Sequence, residues 1–105
     1  MSDRIQRVME EMGKAGIEQL VICDPFSIRY LTGIYVEPFE RMFVFLMSAD
    51  GRHRLFANRL FNIPETDIET VWFSDTDDYV KMLAERIWAV KLGIDKEWAA
   101  RFLLG

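Results

Sequence analysis

The 105-residue sequence predicts an α/β domain: a mixed sheet around one central β-hairpin, with helices on both faces. Three observations predict it. Short apolar runs alternate with helix-period stripes along the chain, as a sheet covered by helices requires. Asp50-Gly51 separates two apolar runs and reads as a hairpin turn. The apolar run 20–23 is followed at once by Asp24-Pro25, and Gly33 then closes what they open.

Taken in order, residues 3–14 place Ile5, Val8, Met9 and Met12 on one stripe of an amphipathic helix, with Gly16 as its stop. Residues 19–23, continuously apolar from Leu20 on, lie between turn signals, the pattern of a buried strand. In residues 24–32, Asp24 is a helix cap and Pro25 fits the first turn, where a missing N–H costs nothing. Ile28 and Leu31 supply a brief apolar face, and Gly33 suits a left-handed C-terminal stop. Residues 34–41 include Pro38 and follow no period, which makes them a loop. Residues 42–47 are all apolar, so this run is expected to be the most buried strand. Residues 53–57 are the second hairpin arm, 58–66 with Pro64 are irregular, and 68–73 form a further strand.

Ser74-Asp75-Thr76-Asp77-Asp78 then concentrates caps and acids where a helix N-terminus favours them. The helix they open is expected to reach about residue 90, with Tyr79, Met82, Leu83, Ile87 and Val90 on one face. Residues 92–94 read as a short strand, and Asp95 caps a last helical stretch through the i, i+4 pair Trp98 and Phe102. The expected order is α-β-α-β-β-β-α-β-α, without internal repeat, linker or low-complexity segment.

Composition narrows the function. Thirteen Lys+Arg against seventeen Asp+Glu give a net charge of −4, which argues against nucleic acid or an anionic membrane as partner. No apolar stretch approaches the ~20 residues of a membrane span. Asp3, Glu10 and Glu11 make the start unlike a signal or transit peptide. Cys23, the single cysteine, lies in an apolar strand, so no internal disulfide forms, and a single buried thiol fits a reducing, cytoplasmic setting.

No catalytic or metal-ligating residue is assigned. One His and one Cys cannot build the usual zinc sites. Phosphate-cradling glycine loops and a G-x-S-x-G elbow are missing from the sequence. His53 stands in a hairpin arm without a companion base or nucleophile and is expected to be a solvated sheet residue. Asp24 and Asp95 both follow strand ends, where a pair of carboxylates could hold Mg²⁺ as in a receiver-type phosphoacceptor domain. Each also stands directly before helix signals, so both are read as structural caps. Asp75, Asp77 and Asp78 are attributed to the helix dipole, and Trp72, Trp88 and Trp98 to core or interface packing. The loop 34–41 alone mixes exposed-contact chemistry, through Tyr35, Glu37, Phe39 and Arg41. A contact loop and a core-covering loop are both open for it.

The passage Asp24-Pro25-Phe26-Ser27-Ile28-Arg29-Tyr30-Leu31-Thr32-Gly33 after an apolar strand resembles the D-P-x-x-I-R-Y-L-T-G signature of the creatinase/prolidase N-terminal domain. Glu37-Pro38-x-Glu40-Arg41 ahead of the strand at 42–47, followed by Asp50-Gly51, is similar to bacterial Xaa-Pro dipeptidases in particular. The resemblance implies a ribonuclease-H-like fold and the non-catalytic half of a two-domain metallopeptidase. In that family a separate "pita-bread" domain carries two Asp, one His and two Glu that bind a pair of divalent metals (manganese, cobalt or zinc). None of these ligands has a counterpart here, so the expected cofactor of this chain is none. The implied partners are the chain's own catalytic domain and a second copy in a homodimer, in which the loop holding Tyr35, Glu37, Phe39 and Arg41 would narrow the partner's active-site mouth. The family's domain runs beyond this length, which implies that 1–105 is one domain truncated before its last strand and linker. An apolar stretch at Trp98, Phe102, Leu103 and Leu104 is then expected to favour self-association. Two further readings stand beside this one: the same domain from a creatinase-type amidinohydrolase, and a free-standing α/β module that binds a ligand or signals through Asp24.

Overall fold

The computed structural model describes residues 3–36, 42–88 and 92–94. Helix α1 (Asp3–Ala15) leads into strand β1 (Gln19–Ile22), helix α2 (Pro25–Thr32), and the hairpin strands β2 (Val44–Ser48) and β3 (Arg54–Asn58). Strand β4 (Glu69–Phe73), helix α3 (Tyr79–Ala84) and strand β5 (Leu92–Ile94) follow. The strands form one mixed sheet in the order β4-β3-β2-β1-β5. β2 runs antiparallel to both β1 and β3, while β4 is parallel to β3 and β5 parallel to β1. The hairpin is therefore central, as expected.

β2 is buried along its whole length because both of its faces are covered. Its alternation separates two cores. Phe43, Phe45 and Met47 pack with Ile5 and Met12 of α1, Ile28 and Leu31 of α2, and Ile22, Leu55 and Ala57 of the sheet. Met42, Val44 and Leu46 point the other way, to Val21, Phe56, Phe73 and Leu83 of α3. Helices thus lie on both faces of the sheet. The stripe read in α1 is confirmed by Ile5 and Met12, each at most 3% exposed.

α2 is delimited as its residues dictate. Asp24 has extended backbone angles and its carboxylate accepts the Phe26 N–H (3.3 Å) and the Ser27 hydroxyl (2.7 Å). At the other end Gly33 takes φ 79° and donates its N–H to the Arg29 carbonyl at 2.8 Å.

Several expectations are corrected. α3 stops at Ala84 instead of running to about residue 90. Buried Gln19 causes the stop: its amide donates to the Arg86 carbonyl (3.1 Å) and accepts the Trp88 N–H (2.8 Å), taking backbone groups that a longer helix would need. His53 is buried at 5% exposure, not solvated. The hairpin connection spans residues 49–53, longer than a two-residue turn, and it folds His53 back so that Nδ1 accepts the Ser48 N–H (3.1 Å). Trp72 and Trp88 are exposed, which removes the core alternative for them and leaves the interface one. Of the acids at 75–78, only Asp78 caps α3, through the Lys81 N–H (3.1 Å). Asp77 instead closes a turn by accepting the Ser74 N–H (2.8 Å), and Asp75 accepts from the Asn58 amide. Val90, Asp95 and the last helical stretch lie outside the described residues.

Candidate functional site

Helix periodicity builds the site. Ile28 and Leu31 turn α2 toward the core, which leaves Phe26, Arg29 and Tyr30 outward. Phe26 and Tyr30 are an i, i+4 pair on that outer face and are 65% and 56% exposed. α1 packs alongside and delivers Arg4, whose guanidinium lies 4.2 Å from the centre of the Tyr30 ring and donates to the Tyr30 carbonyl at 2.9 Å. The left-handed turn at Gly33 sends the chain back, so that Tyr35 meets Phe26 with ring centres 5.7 Å apart. Arg29 stands 5.9 Å from the Tyr35 ring.

The result is a surface of three aromatic rings and two guanidiniums, held by cation–π contacts worth roughly 0.5–1 kcal/mol each at exposed positions. Two clefts adjoin it. One, of about 410 Å³, runs between α1, α2 and β1 and is lined by Val8, Leu20, Ile22, Phe26 and Tyr30 among others. A second, of about 280 Å³, is bounded by Arg4, Phe26, Arg29 and Tyr30. Exposed aromatics beside arginine are the residue types that dominate protein contacts.

Of the loop residues singled out in the sequence, Tyr35 lies on this surface; Glu37, Phe39 and Arg41 lie outside the described residues. Arg4, Phe26, Arg29 and Tyr30 were not singled out. The i, i+4 spacing of Phe26 and Tyr30 was available, but the approach of Arg4 follows only from the packing of α1 on α2.

This surface is built of rings and guanidiniums, and the two groups with shifted titration, His53 and Glu69, lie outside it. Burial pushes the His53 imidazole below its ordinary value of 6.5, with Asp50 opposing less strongly, and Nδ1 is already occupied by the Ser48 N–H. The Glu69 carboxyl is also held low, first by its hydrogen bond to Arg54 and further by Arg52. That group sits at the far sheet edge, on β4. Among the described residues, no three His, Cys, Asp or Glu side chains come together to hold a metal ion. A divalent-metal pair therefore does not fit the residues described.

Comparison with known proteins places these features in context. The family profile of the Creatinase/Prolidase N-terminal domain matches residues 4–103. An uncharacterised peptidase of Staphylococcus aureus is 29% identical over 68 residues, a stretch that is 65% of this chain and 18% of that protein. The chain thus spans less than a fifth of this curated relative. A recombinant prolidase from Thermococcus sibiricus superimposes with a TM-score of 0.77 at 28% identity, over 96% of this chain and 30% of that one. The creatinase/prolidase N-terminal domain of an Xaa-Pro dipeptidase from Streptococcus pyogenes shares the fold, with a TM-score of 0.76 at 18% identity over 92% of this chain and 79% of that one.

Proposed function

This chain belongs to the creatinase/prolidase N-terminal domain family, and from that premise we propose that it is the non-catalytic packing and assembly domain of an Xaa-Pro dipeptidase-like metallopeptidase. The observation that carries the reading is the extent of the match: residues 4–103, nearly all of these 105, align with the family's N-terminal domain and not with a catalytic one. Chemistry then resides in a second domain, where a metal pair supplies activated water. In this reading, the surface formed by Phe26, Tyr30, Tyr35, Arg4 and Arg29 docks against that domain or against a second subunit. Its guanidiniums complement carboxylates and its rings fill apolar pockets. A cytoplasmic location belongs to the same reading.

Two measurements test it. The isolated chain, loaded with manganese or cobalt and analysed for bound metal, is expected to hold far less than one equivalent and to leave Xaa-Pro dipeptides uncut. Tight binding at one equivalent, or turnover, would overturn the proposal. The parent gene downstream of Gly105 is expected to encode a domain carrying two Asp, one His and two Glu ligands. A stop codon there would favour the free-standing module instead.

A further inference from the structure

We propose that the outer edge of β4 is a self-association site, at which β4 pairs antiparallel with β4 of a second copy about a two-fold axis through Val71. β4 ends the sheet order, so among the described residues only β3 pairs with it. The direction of its backbone groups follows from one bond: the Arg59 N–H donates to the Phe73 carbonyl at 2.8 Å. Phe73 therefore turns its polar groups toward β3, and by the two-residue strand period Val71 and Glu69 do the same. Thr70 and Trp72 direct their N–H and C=O groups outward.

Those two residues are related by symmetry about Val71. In an antiparallel pair centred there, Thr70 lies opposite the partner's Trp72, and Trp72 opposite the partner's Thr70. Both pairs are of the hydrogen-bonded kind, each exchanging two N–H···O bonds, while Val71 meets the partner's Val71 in the close, non-bonded position. The same register sets the Trp72 ring, 39% exposed in the single chain, over the partner's Thr70 on one sheet face. An isologous contact of this kind closes on itself as a dimer.

Sheet edges are usually guarded by Pro, Lys or an unpaired charge. Glu69–Phe73 contains neither Pro nor Lys. Its one charge, Glu69, is engaged within its own chain by Arg54 (2.8 Å) and Arg52 (3.2 Å). In the proposed register it faces the partner's Phe73, so the two carboxylates do not oppose each other. A contact of five-residue strands falls below the ~1,200 Å² of stable interfaces, so the dimer is weak and concentration-dependent. The proposal stands apart from the peptidase reading, because every group it uses belongs to this chain and none lies on the α2 surface.

Light scattering behind a sizing column, over a wide concentration range, tests it with two variants. Thr70→Pro removes an outward N–H and no bond to β3, a substitution that edge strands tolerate. It is expected to weaken the dimer at least tenfold while circular dichroism and the melting midpoint stay near wild type. Val71→Cys places two thiols at the axis, where the spacing of a non-bonded pair suits a disulfide. On mild oxidation it is expected to give a covalent dimer, whereas Glu65→Cys, exposed and away from the axis, does not. Buried Cys23 does not compete. A wild-type monomer at the highest concentration, or a Thr70→Pro dimer of undiminished strength, overturns the proposal. Should Thr70→Pro fail to fold, the crosslink decides alone: no enrichment of the Val71→Cys dimer over the Glu65→Cys control overturns it. A dimer lost on Tyr35→Ser but kept in Thr70→Pro would place assembly on the α2 surface.

Discussion

Gln19 holds together parts of the chain that lie far apart in sequence. It is fully buried, and its amide donates to the Ser48 hydroxyl and the Arg86 carbonyl while accepting the Trp88 N–H. Gln19→Leu keeps most of the volume but strands Arg86 C=O and Trp88 N–H. The expected loss is about 2 kcal/mol or more, at roughly 1–3 kcal/mol for each stranded group. Denaturant midpoints measure it, and an unchanged midpoint would show that water replaces the amide. His53 adds a pH dependence with a definite sign. Its folded-state pKa is lowered from 6.5 by burial, so above that value the ring is neutral in both states and stability is at its full level. As pH falls below it, the unfolded chain takes up the proton first, and stability declines until the lowered folded value is passed. His53→Asn retains an acceptor for the Ser48 N–H and does not titrate. Melts from about pH 7 to about pH 5 should therefore show a steeper decline in wild type than in the variant. Parallel profiles would contradict the assignment.

At the scale of elements, α2 is set by its own residues, and α3 is not. Asp24→Ala is expected to cost ~1 kcal/mol, with Asn or Ser nearly neutral, because the cap needs only an acceptor for the first-turn N–H. A ligand or phosphoacceptor role would separate Asp24→Asn from wild type in function at equal stability. Gly33→Ala meets no atom within 4 Å, so any loss comes from its φ of +79° and not from a clash. About 1–2 kcal/mol is expected there, and the same melts report it. These features were legible because a cap, a proline, an apolar pair and a terminal glycine act within one short segment. The end of α3 was not legible, since the competing partner, Gln19, lies at the start of β1. His53 was misread for a similar reason: a two-residue turn leaves it solvated, while the longer connection tucks it under the ladder. The aromatic surface on α2 was legible only in part. Tyr35 stood out as a loop aromatic, but Phe26, Tyr30 and Arg4 acquire meaning only when α1 and α2 lie side by side.

At the scale of the whole molecule, the two cores are opposite faces of the same strands. β2 gives Phe45 and Met47 to one and Val44 and Leu46 to the other. Neither core can be lost while the other keeps its order, because losing either exposes half of a strand buried along its whole length. The outer strands are joined to this centre by ladders, with β4 on β3 and β5 on β1. A single cooperative unfolding transition follows, as is usual for one domain of this size. Trp72 on β4 and Trp88 beside β1 provide natural probes near opposite edges of the sheet. Single-tryptophan variants, made by replacing the other tryptophans with Phe, are expected to unfold in denaturant with coincident normalised curves once each is referenced to its own circular dichroism transition. If the Trp88 signal changed well before the circular dichroism, the β1–β5 side would be a separate unit held to the sheet mainly through Gln19. In that case Gln19→Leu should widen the gap between the two probes, whereas in a single unit it moves both curves together.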